Sequence, residues 1–298
     1  MSSQQELAEG WQEHHRILID VAYRLLGSLA DAEDAVQEAF TRLARHEGEP
    51  IEDLRGWLVV VVSRICLDQL ASARVRREAY VGSWLPEPFV RAASDPDADP
   101  ADRITLDDSV RMALLVVLER LSPAERVAFV LHDVFGLRFE EISAVLGRPA
   151  PACRQLASRA RRHIREDESA RFPVDRANEA AVAERFLAAC QGGDVEELMA
   201  VLAPEVVLRA DSDGKVVAPH RPVVGREPII KIVAKGLRDY PGLTMTVGTA
   251  NGGPALLARD GSGALITVVA FTVAGDQIVA ADLIAAPEKL ARMEEFMR

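Results

Sequence analysis

Residues 139–165, FEEISAVLGRPAPACRQLASRARRHIR, admit few folds. Phe139, Ile142, Val145 and Leu146 recur at helical spacing, with Glu140, Glu141 and Ser143 facing away. Gly147 closes that helix, because glycine reaches a left-handed C-terminal conformation without strain. Pro149 and Pro151 cannot continue the helix but suit the start of another. In the second helix Cys153, Leu156, Ala160 and Ile164 make an inward stripe, while Arg154, Gln155, Ser158, Arg159 and Arg162 point outward. No Ser, Thr, Asp or Asn stands at the expected N-cap, so the start of this second helix is left open. The pattern is helix, tight turn, helix.

The charge of this stretch sets it apart. The chain has 298 residues, a formal net charge of -11 and a pI of about 5.1. Between Arg148 and Arg165 there are nonetheless six arginines (Arg148, Arg154, Arg159, Arg161, Arg162, Arg165) and no acid. Arg and Gln near the start of a second helix can reach base edges in a major groove, and later arginines can hold phosphates. A solvated basic face is the plainer reading of a lone helix. The preceding helix and the Gly-containing turn favour DNA.

Other totals narrow the class. Hydrophobic residues make up 49% of the chain but aromatics only 5%, so the cores are built from Leu, Val, Ile and Ala. Cys66, Cys153 and Cys190 are far apart, have no metal-ligand spacing and suit reduced, buried positions in a cytoplasmic protein. The start, MSSQQELAEG, lacks the basic and apolar regions of a signal peptide. The apolar run from Trp57 to Val62 is too short to span a bilayer. No metal or cofactor is expected.

Upstream, Trp11 to Leu26 reads as a helix ended by Gly27. Asp31 is the expected cap of the next, Ala32 to about Arg45, whose outer face shows Asp34, Gln37, Glu38 and Thr41. That face is either ordinary capping chemistry or an acidic docking surface for a basic partner. Glu52 to Glu78 reads as a long helix with Arg55, Arg64 and Asp68 outward and a basic end at Arg74, Arg76 and Arg77. Asp107 to Leu121 is the next helix, and Ser122-Pro123-Ala124-Glu125 starts another with a capping box.

Three blocks now agree: LLGSLADAEDAVQEAFTRL, LRGWLVVVVSRICLDQLASARVRRE, and LERLSPAERVAFVLHDVFGLRFEEISAVLGRP with RQLASRARRHIR. Together they resemble regions 2 and 4 of a bacterial extracytoplasmic-function sigma factor, over roughly residues 11–165. The resemblance implies an alternative sigma subunit that directs RNA polymerase to promoters. Asp31, Glu33, Asp34, Gln37 and Glu38 would bind core polymerase, through its β′ and β subunits. Trp57, Arg64, Asp68, Arg74, Arg76 and Arg77 would read and melt the −10 element. Arg148, Pro151, Arg154, Gln155, Ser158, Arg159 and Arg162 would engage the −35 element.

Between the two regions, four prolines and an acidic second half make Tyr80 to Asp102 an extended linker. Trp84-Leu85-Pro86-Glu87-Pro88 is a poor choice for a solvated tether and suits a docking strip. It resembles the linker signature of SigJ-like sigma factors, which carry a fused C-terminal domain. In this tail, helices at 178–191 and 194–202 precede strands at 206–210 and 215–218, a helix at 227–239, four further strands and a final helix at 288–297. That order is α+β and resembles the SnoaL-like cone. Asp211-Ser212-Asp213-Gly214-Lys215-Val216 resembles the group's DGGGKV motif, and Ala286-Pro287-Glu288-Lys289-Leu290 its NPDKL motif. Asp211, Asp213, Gly214 and Lys215, with the WLPEP strip, are the expected regulatory contacts.

The expected architecture is multidomain: two all-α sigma domains, at 1–79 and 107–167, a linker at 80–106, and an α+β SnoaL-like cone with a curved antiparallel sheet at 175–298. The tail would pack on the strip and on both sigma regions. Members of the cone fold include isomerases and cyclases, so Asp211, His220, Asp260 and Asp282 are weighed as catalytic groups. Fold alone carries no activity, and the expectation is a non-enzyme with room for an unnamed small ligand in its cone. The rival readings are a stand-alone helix-turn-helix regulator and a cone-fold enzyme with a DNA-binding attachment.

Overall fold

The structure is a computed structural model that describes residues 3–46, 51–78, 80, 82–92, 111–166 and 175–296, without the side chains of 3–12, 73–78, 92, 295 and 296. It divides into two compact units, Met1–Glu78 with Leu115–Asp167, and Ala79–Leu114 with Glu168–Arg298. The linker therefore groups with the C-terminal unit.

In the first unit α1 (Ser3–Leu26), α2 (Leu29–Ala44) and α3 (Leu54–Glu78) pack against one another. Leu18, Val21, Leu25, Val36, Leu58 and Val62 are buried. Each such side chain contributes on the order of 1.5–3 kcal/mol by leaving water. Gly27, at φ 72°, ends α1, and its amide donates to Tyr23 O at 2.7 Å. Ser28, not Asp31, caps α2: its backbone is extended and its hydroxyl accepts from Asp31 N at 3.3 Å. Once Gly27 has turned the chain, helix geometry resumes at Leu29. That leaves Asp31 inside the first turn as a dipole acid.

The same unit resumes at Leu115, within α4 (Met112–Leu118), and continues with α5 (Pro123–Phe129). Ser122 and Glu125 form the expected capping box. A π-helical segment, Val130–Val134, extends α5. Then come α6 (Phe139–Leu146) and α7 (Ala150–Glu166), separated by Gly147 at φ 61°. Cys153, Leu156, Ala157 and Ala160 of α7 are buried, as the stripe requires.

The two helical halves exchange arginines. Arg64 of α3 donates through Nη2 to Ala144 O at 2.6 Å, in the last turn of α6. Arg126 of α5 is buried and donates to Leu25 O at 2.9 Å, in the last turn of α1. Glu119 pairs with Arg126 at 2.6 Å. Each guanidinium thus meets a carbonyl that a helix end leaves without an intrahelical partner.

In the second unit α8 (Arg176–Gly192) and α9 (Val195–Val201) precede β2 (Leu202–Asp211) and β3 (Val223–Val224). Then come α10 (Arg226–Asp239), β4 (Thr244–Ala250), β5 (Gly253–Arg259), β6 (Leu265–Ala274), β7 (Gln277–Ile284) and α11 (Pro287–Phe296). With β1 (Val90–Ala92), the sheet order is β1-β4-β5-β6-β7-β2-β3, antiparallel except for the parallel pair β2–β7. Val182, Phe186, Leu187 and Cys190 of α8 join Leu256, Phe271 and Val273 of the sheet in one core.

Three details of this unit depart from the sequence reading. β1 (Val90–Ala92) comes from the linker and pairs with β4, so these three linker residues join the sheet. Residues 215–218 are not a strand: Val217 is 91% exposed, and the residues that pair with β2 are Val223 and Val224. Pro219 and Pro222 lack the amide hydrogen a longer ladder would need. Asp211, expected in the gap between strands 206–210 and 215–218, is itself in a strand. It is the last residue of β2, and its carbonyl accepts from Ala285 N at 2.7 Å.

Candidate functional site

On α2, alternating burial turns Ala32, Ala35, Val36 and Ala39 inward and leaves Asp31, Glu33, Asp34, Gln37 and Glu38 exposed together. Desolvation and then the neighbouring Asp34 charge push the Glu33 carboxyl above its usual range. Glu38 is paired with Arg42 at 2.8 Å, and the other acids leave the face negative and suited to a cationic partner. On α3, Trp57 is half-buried with its ring edge-on to His46 at 5.6 Å, and Asp68 is exposed. Arg64, expected at DNA, is held on the Ala144 carbonyl. The side chains of Arg74, Arg76 and Arg77 lie outside the described residues.

On α7, Pro151, Arg154, Gln155, Ser158, Arg159 and Arg162 are all exposed, and Arg148 is exposed in the turn. The Arg148 carbonyl accepts from the Ser143 hydroxyl and Cys153 Sγ, which ties the turn to both helices. Arg159 pairs with Glu125 at 3.3 Å. Burial pushes the Glu125 carboxyl up, but the Ser122 hydroxyl and amide, with Arg159 and His163, outweigh it and hold the group below the usual carboxylate range. A cleft of about 500 Å³ opens here, lined by Leu67, Leu146, Leu156, Arg148 and Arg159.

The second site lies in the C-terminal unit, where one carboxylate gathers the strip. Asp211 is fully buried. It accepts from the Tyr80 hydroxyl, from Leu85 N at 2.8 Å and from Lys289 Nζ at 2.8 Å. Lys289 also donates to the Leu85 carbonyl, and its ammonium stands 4.1 Å from the Trp84 ring centre. Burial, then the hydrogen bond to Asp211 and its charge, raise the Tyr80 pKa. Glu87 is buried and paired with Arg292 at 2.9 Å. Phe89 N donates to Asn251 Oδ1 at 2.6 Å, and Asn251 N returns a bond to Phe89 O at 2.8 Å. Leu85, Pro86, Glu87 and Pro88 are buried and Trp84 half-buried. Farther along, Arg111 pairs with Glu179 at 2.9 Å.

Sequence reading singled out the strip and Asp211, but not Tyr80, Asn251, Arg292 or the Arg111–Glu179 pair. Lys289 was visible as part of a motif and not as the partner of Asp211. Asp213 reaches this clamp through its backbone, which hydrogen-bonds Tyr80, whereas Gly214 and Lys215 lie outside it. Gly214 (φ 66°) and Asp213 (φ 51°) form the turn after β2, and Lys215 is exposed between Asp213 at 2.8 Å and Glu288 at 2.7 Å. Its hydrogen bonds to Asp213 and then Glu288 push its pKa up to about 12.

Three of the four carboxylate and imidazole groups weighed for catalysis are committed to different partners. Asp211 is in the clamp. Asp282 faces Arg209 across β2–β7, at 2.6 and 3.1 Å. Asp260 accepts from Ser262 and Ala264 in the β5–β6 turn; the Ser262 hydroxyl and amide hold it below the usual carboxylate range. His220 is exposed on a loop. All three cysteines are free and buried, and among the described residues no cluster fit for a metal occurs. Among those residues no helix is long and apolar enough to cross a membrane.

Residues 11–76 match the family description Sigma-70 region 2, and residues 111–164 match Sigma-70, region 4. The chain is 40% identical over 292 residues to the probable ECF RNA polymerase sigma factor SigI of Mycobacterium tuberculosis, covering 97% of each. It is 43% identical over 229 residues to the ECF RNA polymerase sigma factor SigJ of the same organism, covering 76% of this chain and 72% of SigJ. The crystal structure of SigJ superposes with a TM-score of 0.74 at 34% identity, covering 95% of this chain and 98% of that one. This last similarity extends through the cone domain. The chain belongs to the extracytoplasmic-function RNA polymerase sigma factors.

Proposed function

We propose that this sigma factor is controlled by its own C-terminal domain, which grips the linker between its two promoter-reading regions. The observation that carries the reading is the Asp211–Lys289 clamp on Trp84 and Leu85. A buried carboxylate and a buried ammonium, each committed to linker atoms, make a specific hold where composition calls for a solvated tether. With β1 in the sheet and Arg111 on Glu179, the linker is fastened near both its ends. A fastened linker limits how far the two regions can separate, and promoter elements have a set spacing. The cone would then act as a brace rather than as an enzyme, since Asp211 serves the clamp and Asp282 is neutralised by Arg209.

Within this reading the α2 face Asp31, Glu33, Asp34, Gln37 and Glu38 binds core polymerase in the cytoplasm. Trp57, Arg64, Asp68, Arg74, Arg76 and Arg77 serve the −10 element. Arg148, Pro151, Arg154, Gln155, Ser158, Arg159 and Arg162 serve the −35 element, as phosphate contacts and base readers. Net charge -11 opposes free association with DNA, which suits a protein that meets promoters in a holoenzyme.

The test is in vitro transcription with bacterial core polymerase on the gene's own upstream region, comparing the full chain with one stopped after Arg165. Initiation by either form is the expected outcome, and the difference between them gives the sign of control. Trp84→Ala removes the ring beside the Lys289 ammonium. It is expected to change promoter output and to increase protease cleavage in the linker. Unchanged output together with unchanged cleavage would sink the brace.

A further inference from the structure

We propose that Arg154 is aimed at the −35 element by an aromatic platform, Phe139 stacked on His132, and that these two rings are positioning residues for base discrimination. The inference rests on the reading of α7 as the −35 helix.

Three contacts line up. The Arg154 guanidinium carbon lies 5.1 Å from the Phe139 ring centre. The Phe139 ring lies 4.1 Å from the His132 ring, tilted by 32°. His132 Nδ1 is 2.9 Å from the Leu137 carbonyl. A carbonyl only accepts, so Nδ1 carries the hydrogen and the imidazole plane is set by the backbone.

The backbone beneath is unusual as well. His132 sits in the π-helical segment, where Phe135 N reaches back to Val130 O at 3.2 Å. The chain then reverses at Gly136, φ 70°, before Phe139 opens α6. Such π turns are uncommon and collect at functional positions. Here the turn and reversal bring two rings seven residues apart into one stack. Phe139 also packs on the Ala128–Leu156–Ala157 cluster, so the platform is anchored in the core while Arg154 remains exposed.

The physical consequence is pre-organisation. A free exposed arginine spreads over many rotamers, and ordering it on DNA opposes binding. A guanidinium resting on a ring face is attracted by the ring quadrupole and keeps its plane, while its N–H edge stays available for a bidentate contact. A bidentate arginine prefers guanine O6 and N7, so the platform serves discrimination at one base step more than overall affinity.

The experiment uses the full chain bound to core polymerase, with the gene's own promoter and single-base variants across its −35 element. Arg154→Ala is expected to flatten discrimination at one or two adjacent positions. Phe139→Leu keeps an apolar anchor but removes the π face, and is expected to lose about fivefold to tenfold of the discrimination at those same positions. Phe139→Tyr keeps the face and should retain discrimination. The pair Arg154→Ala with Phe139→Leu should be no worse than Arg154→Ala alone. If Phe139→Leu lowers all promoters uniformly, or Phe139→Tyr fails to restore the pattern, the rings are structural only and the proposal falls. Additive effects of the two substitutions overturn it too. If Arg154→Ala leaves every position unchanged, the −35 assignment of Arg154 falls with it, a result separable from failure of the platform alone.

Discussion

The arginines of α7 and the lysine of the linker clamp carry the same charge and live in opposite surroundings. Arg159 is 52% exposed in its pairing with Glu125, whereas Lys289 is 9% exposed and Asp211 wholly buried. An exposed pair is screened by water and salt and exchanges its partner at little cost, typically 0 to about 1 kcal/mol. A buried pair cannot lose one member without stranding the other. The difference separates two tasks. Under the proposed function, side chains that would release a protein partner to take a phosphate are held weakly. Side chains that hold the linker are held by charge that water cannot replace.

The largest expected effect follows from stranding. Asp211→Ala removes the acceptor of Tyr80, Leu85 N and Lys289 at once. Leaving a buried ammonium without its carboxylate costs roughly 3–5 kcal/mol. Denaturant unfolding monitored at Trp84 should show this loss. Lys289→Met in the same chain should recover part of it, because no charge is then left stranded at the clamp. A loss below about 1 kcal/mol would place the clamp in the same class as the surface pairs.

How much of this was legible in the sequence divides along the same line. Helices α6 and α7 announce themselves through local periodicity, Gly147 and a dense run of arginine, so the exposed face could be named residue by residue. Partnerships across the fold could not. Asp211 and Lys289 are 78 residues apart, and nothing local in Asp211-Ser212-Asp213-Gly214 distinguishes a strand end from a turn. β1 is three residues long, below the length at which alternation can be seen, and its pairing depends on where β4 lies. Ser28 and Asp31 are both good cap residues, and only the geometry after Gly27 chooses between them. Arg64 looks like a nucleic-acid ligand by composition, yet its guanidinium is on the Ala144 carbonyl. If Arg64 serves the −10 element as proposed, that bond has to open first.

On the exposed side of the comparison the effect moves from stability to binding. Arg159→Ala should change the unfolding free energy by less than about 1 kcal/mol. If Arg159 meets a phosphate in the promoter complex, the same substitution should reduce the salt slope of holoenzyme–promoter binding by about one unit, with little change in preference among −35 variants. Measuring the slope from low to moderate salt separates the outcomes. An unchanged slope with altered sequence preference would make Arg159 a base reader instead.

The smallest effect sharpens the comparison through pH. The folded state holds the Glu125 carboxyl below its unfolded pKa, since Ser122, Arg159 and His163 outweigh its burial. A depressed carboxyl contributes stability that is fully present above the unfolded pKa and is lost as pH falls through the folded one. Glu125→Gln removes that titration while keeping the side chain's shape. The gap in thermal midpoint between the native chain and this variant should therefore be widest near neutral pH and close as pH falls through the acid range. Asp20 and Glu33 are shifted the other way, upward, mainly by desolvation. They act alike in both chains and cancel in the difference. A gap that does not close on acidification would mean that the Ser122 cap, and not the charge on Glu125, carries the stability. The Arg159 pair would then be free to open for DNA at no measurable cost to the fold.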